Sequence, residues 1–271
     1  MTALSLLFGT ALAAAPVTVI PWSQLGAPIS APESKTLGPD LLAAGPRGEL
    51  GVWSAATAEL WLLSPLDAAR AQPRALDVGV IDGVAWTTDG LVLLDTGARR
   101  LRLLDPSGAA LDEIPLPALV PTGITLLVQD HVAYGVDVFG NRRPIARVTS
   151  TGFRDWDGDH LLPPTAPVRW DAAHHTLSAA QVSYRLPDAV KASGQALQGG
   201  DTGWLVVSQV TGDGPLRVER QVAVLGEATL RPLPTGARLY APTQDLAVDG
   251  RGHLIWMSPQ ADGLHLGEVA P

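Results

Sequence analysis

Three aspartates at alternate positions, Asp155, Asp157 and Asp159 in DWDGDH, form the sharpest local motif of the chain. Carboxylates at the first, third and fifth places of a loop, with a glycine to turn it, are what a calcium ion needs to gather oxygen ligands. The second half of that pattern is missing, because Ala166 stands where a bidentate glutamate is required and LLPPTAP precedes and surrounds it. The simpler reading of the segment is a solvated acidic turn. A second set, Asp40, Asp82 and Asp245, stands at equivalent points ahead of short apolar runs. If those runs line a central channel, the three carboxylates converge near one mouth and could bind a cation or an amine. The competing reading is local: each aspartate accepts a hydrogen bond from the backbone two residues on. Calcium is the one cofactor that either set suggests.

Other chemistry finds little support. Of the six histidines, His131, His253 and the His174-His175 pair fall in turns joining apolar runs. Adjacent histidines on extended chain point to opposite sides, and a metal needs its ligands on a supported frame. There is no G-x-S-x-G, no S-x-x-K and no glycine-rich phosphate loop opening a helix. The chain contains no cysteine, which excludes disulfides, thiolate metal sites and a thiol nucleophile. A net charge of −8 argues against a nucleic-acid partner, which requires a basic stripe. The eight tryptophans lie mostly within apolar runs and read as packing residues.

The elements that must position these groups come from a repeat. Residues 48–65 superpose on 89–106 without gaps, placing Leu50 on Leu91, Ser54 on Asp95, Leu60 on Leu101 and Pro65 on Pro106. Residues 252–269 align in the same way, with Ser258 on Asp95 and Leu266 on Leu103. Looser copies occupy 130–152 and 201–220, and the match is poorest around 171–186. Each copy is a pair of short apolar runs bounded by Gly, Asp, Pro or Ser, the signature of strand and turn. Four antiparallel strands per roughly 40 residues make one β-propeller blade. Such a sheet is covered on both faces, which accounts for runs like LVLL in place of strict alternation. The expectation is an all-β fold: a six-bladed β-propeller of four-stranded antiparallel blades in a single domain, residues 16–271. The last copy runs out after its third strand, and residues 17–25 (VTVIPWSQL) are a spare β segment expected to close the ring.

The stretch DGLVLLDTGARRLRLLDPSG resembles the NHL repeat, with Asp89-Gly90, Asp95, Thr96-Gly97, Arg100-Leu101, Asp105 and Gly108 in the matching places. The match is good in that copy, fair in 40–66 and 244–269, and poor in 165–200. The resemblance implies a six-bladed ring from a group that includes binding scaffolds as well as lactonases and other hydrolases. Calcium-dependent lactonases on this fold use Asn beside Glu and Asp, and the only Asn here is Asn141.

LSLLFGTALAA (4–14) is a short apolar run ending in the A-x-A triplet Ala11-Leu12-Ala13, so residues 1–15 read as a secretory signal. That places the mature chain outside the cytoplasm, in the periplasm or beyond. The expected function is an exported, non-catalytic binding or scaffold module that meets a protein or cell-envelope partner through rim loops such as 153–167. The alternative is a metal-dependent hydrolase or lactonase with calcium held in the channel by Asp40, Asp82 and Asp245.

Overall fold

The structure is a computed structural model that describes residues 17–30, 36–63, 72–77, 80–118, 120, 124–137, 141–156, 168–199, 201–212 and 217–271. The segment read as a signal, together with Asp157, Asp159 and His160, lies outside the described residues.

Strand β1 (Val17–Pro21) leads into a single helical turn, Trp22–Leu25, and a two-stranded ribbon of β2 (Ile29–Ser30) and β3 (Thr36–Leu37). The first sheet comprises β4 (Pro39–Ala44), β5 (Leu50–Ser54), β6 (Glu59–Leu63) and β7 (Gln72–Ala75). The second comprises β8 (Ile81–Trp86), β9 (Leu91–Asp95), β10 (Arg100–Leu104) and β11 (Ala110–Pro115). The third holds β12 (Thr125–Gln129), β13 (Val132–Val136), β14 (Arg142–Thr149) and β15 (Gly152–Asp155), and the fourth β16 (Arg169–Asp171), β17 (Thr176–Ala179) and β18 (Val182–Arg185). The fifth has the longest strands: β19 (Ala189–Gly199), β20 (Thr202–Thr211) and β21 (Arg217–Val224), with a two-residue β22 (Arg231–Pro232). In the sixth, β23 (Leu246–Val248), β24 (Leu254–Pro259) and β25 (Gly263–Val269) are joined by β1, which pairs antiparallel with β25 from Val17↔Gly267 to Pro21↔Gly263.

All of these sheets are antiparallel, and each except the sixth is a meander of consecutive strands. Their first strands stand side by side: β23 abuts β4, β4 abuts β8, β8 abuts β12, and β19 abuts β23. Apolar clusters fill the spaces between successive sheets from the fourth, through the fifth, sixth, first and second, to the third; among the described residues none joins the third sheet to the fourth. Val92, Leu101 and Leu103 pack on Ile124, Leu126 and Ile145, while Leu42, Val52 and Leu63 pack on Ile20, Met257 and Leu266. Every residue of β9 is buried, so both faces are covered, as LVLL anticipates. Each fully buried leucine or isoleucine contributes on the order of 1.5–3 kcal/mol. Trp53, Trp61, Trp204 and Trp256 are all buried in these seams.

The repeat has a backbone basis. Ser54↔Glu59, Asp95↔Arg100 and Asp171↔Thr176 close identical four-residue turns between neighbouring strands. The last turn residue has positive φ in each: Ala58 at 52°, Arg99 at 51° and His175 at 49°. This register puts β16 in the place of a second strand, like β5 and β9. Packing agrees, since β16 lies against β19 as β5 lies against β8 and β9 against β12. The fourth sheet is therefore three-stranded among the described residues, short of the four expected, and no described residue holds its innermost position.

Candidate functional site

The first strands β4, β8, β12, β19 and β23 line a cavity of about 390 Å³. Its wall is mainly Ala, Val and Leu (Ala43, Val84, Leu127, Ala196 and Ala247 among them), interrupted by Thr125, Thr243, Gln195, Gln198 and Gln244. The bridge between Leu41 and Gln244 is parallel, so β4 and the run into β23 point the same way. The mouth where the first strands begin is here called the leading rim.

Asp40 and Asp82 sit at that rim for a specific backbone reason. The ladder β4–β5 slips between Pro39 and Leu41, and β8–β9 slips between Ile81 and Gly83, so each aspartate is the extra residue of a β-bulge. A bulge breaks the alternation and re-aims one side chain. Asp40 thereby turns toward the run into β23, where it accepts from Thr243 N at 2.8 Å and from Thr243 Oγ1 at 2.9 Å. Asp82 turns to its own sheet and accepts from Thr96 Oγ1. A third slip, between Ala189 and Lys191, makes Val190 the bulged residue of β19.

Asp245 is held differently. Arg220 Nη1 pairs with its Oδ2, Arg220 Nη2 donates to Oδ1 at 3.3 Å, and Arg238 Nη1 lies 2.6 Å from Oδ2. Two guanidinium groups thus share one carboxylate at the seam of the fifth and sixth sheets. Burial lowers the pKa of Arg238, and the neighbouring Arg220 lowers it further, while Asp245 opposes both. Gln244 reaches the other way, from the sixth sheet to the first and second: its Nε2 donates to Leu42 O at 2.8 Å and to Val84 O at 3.4 Å. Sequence reasoning found the three aspartates but missed Gln244 and both arginines, which lie outside the repeated positions.

No family model matches the sequence, and no curated protein matches it. Among solved structures the chain is similar to a streptogramin B lyase, with TM-score 0.50 and 11% identity over 94% of this chain and 98% of that one. It is similar also to a catalytically inactive virginiamycin B lyase from Staphylococcus aureus with quinupristin, at TM-score 0.49 and 11% identity over 90% of this chain and 99% of that one. A third similar structure is YCF48 bound to D1 peptide, at TM-score 0.46 and 11% identity over 90% and 95%. The fold is a β-propeller. Likenesses at this identity speak for the fold alone, and none of them singles out the NHL repeat.

Within the propeller the remaining chemical groups are scattered. Asp155 ends β15 on the surface. His174 Nδ1 contacts Asp171 at 2.6 Å, His265 Nε2 contacts Asp262 at 2.8 Å, and His175 Nδ1 contacts Ala189 O at 2.9 Å. Each of these links is local to a turn or a strand junction. Hydrogen bonding to these histidines lowers the pKa of Asp171 and of Asp262. Among the described residues no three His, Asp or Glu side chains gather as a metal-ligating group, and no helix is long and apolar enough to cross a membrane.

The leading rim also carries apolar side chains in the open. Val80 and Val190 flank the starts of β8 and β19, and Leu239 lies in the run toward β23, where its N–H donates to Pro259 O at 2.9 Å. These three are 58%, 63% and 53% exposed. Val218 joins them, because Thr211 pairs with both Ala189 and Arg217 and so brings the start of β21 level with the start of β19.

Proposed function

We propose that this propeller is a binding module for a protein or cell-envelope partner, engaged through its leading rim. The observation that carries the reading is the exposure of three apolar side chains, Val80, Val190 and Leu239, on the rim where the carboxylates are already taken up by Thr96, Thr243, Arg220 and Arg238. Large apolar side chains left open beside polar groups that are already satisfied suit a face that meets a partner. A carboxylate turned toward its own protein's donors is poorly placed to ligate calcium, which requires several converging oxygens.

The same reading takes the sheets as six blades of one ring, residues 16–271, with β1 as the outer strand of the last blade. Residues 1–15 are its secretory signal, and the working location is the periplasm or the cell exterior.

Photo-reactive residues placed at Val190 and Leu239, and as controls at Asp130 and Arg251 on the opposite rim, test the assignment in the producing cell. Discrete adducts from the first pair alone are expected. Equal labelling from both rims, or a calcium-induced rise in Tm abolished by Asp82→Ala, would refute it; the latter would put a cation at the channel mouth.

A further inference from the structure

The first half of β21 is an open sheet edge. Strand β22 pairs only with Gln221 and Val222, and beyond it Leu233 N–H donates to Arg220 O at 2.9 Å. That bond fixes which backbone groups face outward. Along a strand the outward-facing peptide groups belong to every second residue, so after Arg220 the next outward N–H and C=O are those of Val218. Among the described residues no strand pairs with them. Val218 is 69% exposed, the highest value among the described large apolar side chains. Folded proteins ordinarily guard such an edge with lysine, proline or a covering loop.

The residues on either side of Val218 are Arg217 and Glu219, both exposed. A two-fold axis through Val218 lays a second copy of β21 antiparallel to the first. The two valines then form a hydrogen-bonded pair that exchanges two backbone bonds. Arg217 of each copy falls opposite Glu219 of the other, twice. An interface about a two-fold axis must be self-complementary, and an Arg-Val-Glu triplet centred on an outward-facing residue has that property. Directly opposite unlike charges stabilise a strand pair, and like charges in the same places weaken it.

We propose that the protein forms a symmetric dimer in which the β21 edges of two copies pair antiparallel about Val218, joining the two fifth blades into one continuous sheet. Sedimentation equilibrium on the full chain, purified without any partner, tests this separately from the function proposed above. Arg217→Glu and Glu219→Arg each place like charges opposite one another and should weaken association about tenfold or more. Mixed in equal amounts, these two variants regain complementarity and should dimerise as heterodimers. Val218→Cys adds the only thiol in the chain. Facing Cα atoms in a hydrogen-bonded pair lie about 5.5 Å apart, within disulfide range, so mild oxidation should cross-link it quantitatively. Unchanged melting temperatures confirm that the variants fold. A wild-type chain that stays monomeric at its highest soluble concentration, or single charge variants that dimerise as well as wild type, would overturn the proposal.

Discussion

The side-chain amide of Gln244 donates to the Leu42 carbonyl at 2.8 Å, pinning the last blade to the inner strand of the first. Its second contact, to Val84 O at 3.4 Å, extends the tie to the second blade. Gln244→Leu keeps much of the volume but leaves these carbonyls without that donor. A loss of about 1–2 kcal/mol is expected in chemical denaturation. An unchanged midpoint would mean that the tie adds nothing to the backbone bridge beside it.

Asp245→Asn leaves Arg220 and Arg238 facing each other at a seam where their side chains are only 17% and 18% exposed. Breaking a buried pair by removing one partner costs more than the pair contributes, here roughly 2–4 kcal/mol after allowing for partial screening. Replacing all three with apolar side chains of similar size should restore most of the loss. Equal destabilisation in the single and triple variants would count against that account.

Ile20 is fully buried, packed with Leu264 and Leu266 of β25, while Val19 beside it is 37% exposed. Ile20→Ala should therefore cost about 2–4 kcal/mol, and Val19→Ala less than about 0.5 kcal/mol. A chain beginning at Trp22 should lose its single cooperative transition. If that truncation melts like the full chain, β1 is not the strand that completes the ring.

Tyr240 donates its hydroxyl to Pro39 O at 2.9 Å, and burial, helped by the charge of Asp40, raises its pKa well above the ordinary 10.0. The folded state therefore favours the neutral phenol. Its stabilising contribution is complete below pH 10 and disappears as pH climbs through the folded pKa. Stability measured across the alkaline range should fall more steeply in wild type than in Tyr240→Phe. Parallel curves would show that Tyr240 does not drive the decline.

Much of the fold was legible because both faces of each sheet are covered, so apolar runs recur with the same turn between them. Where that burial fails, the signal fails too. The strands of the fourth sheet have only three or four residues, and Arg169 and Asp171 are exposed. Their kinship with β5 and β9 survives in the Asp171↔Thr176 register and the positive φ of His175, neither of which is an apolar pattern. The rim aspartates were found as equivalent positions, but their direction was not. Bulges decide that, and Asp40 and Asp82 occupy bulges whose side chains point to different partners. Arg220 and Arg238 were invisible because they meet Asp245 from a third strand and from a connecting run, with no shared period.

The pairing of Val17–Pro21 with Gly263–Val269 joins the two ends of the described chain, nearly 250 residues apart. A ribosome delivers those segments in order, Val17–Pro21 long before Gly263–Val269. Throughout synthesis β1 therefore has an apolar side with no permanent neighbour, and the sheet it belongs to is the last that can be assembled. Contacts between such distant segments are slow to form. The chain thus emerges with a built-in delay, during which it remains exposed to any chaperone that recognises a lone β-strand.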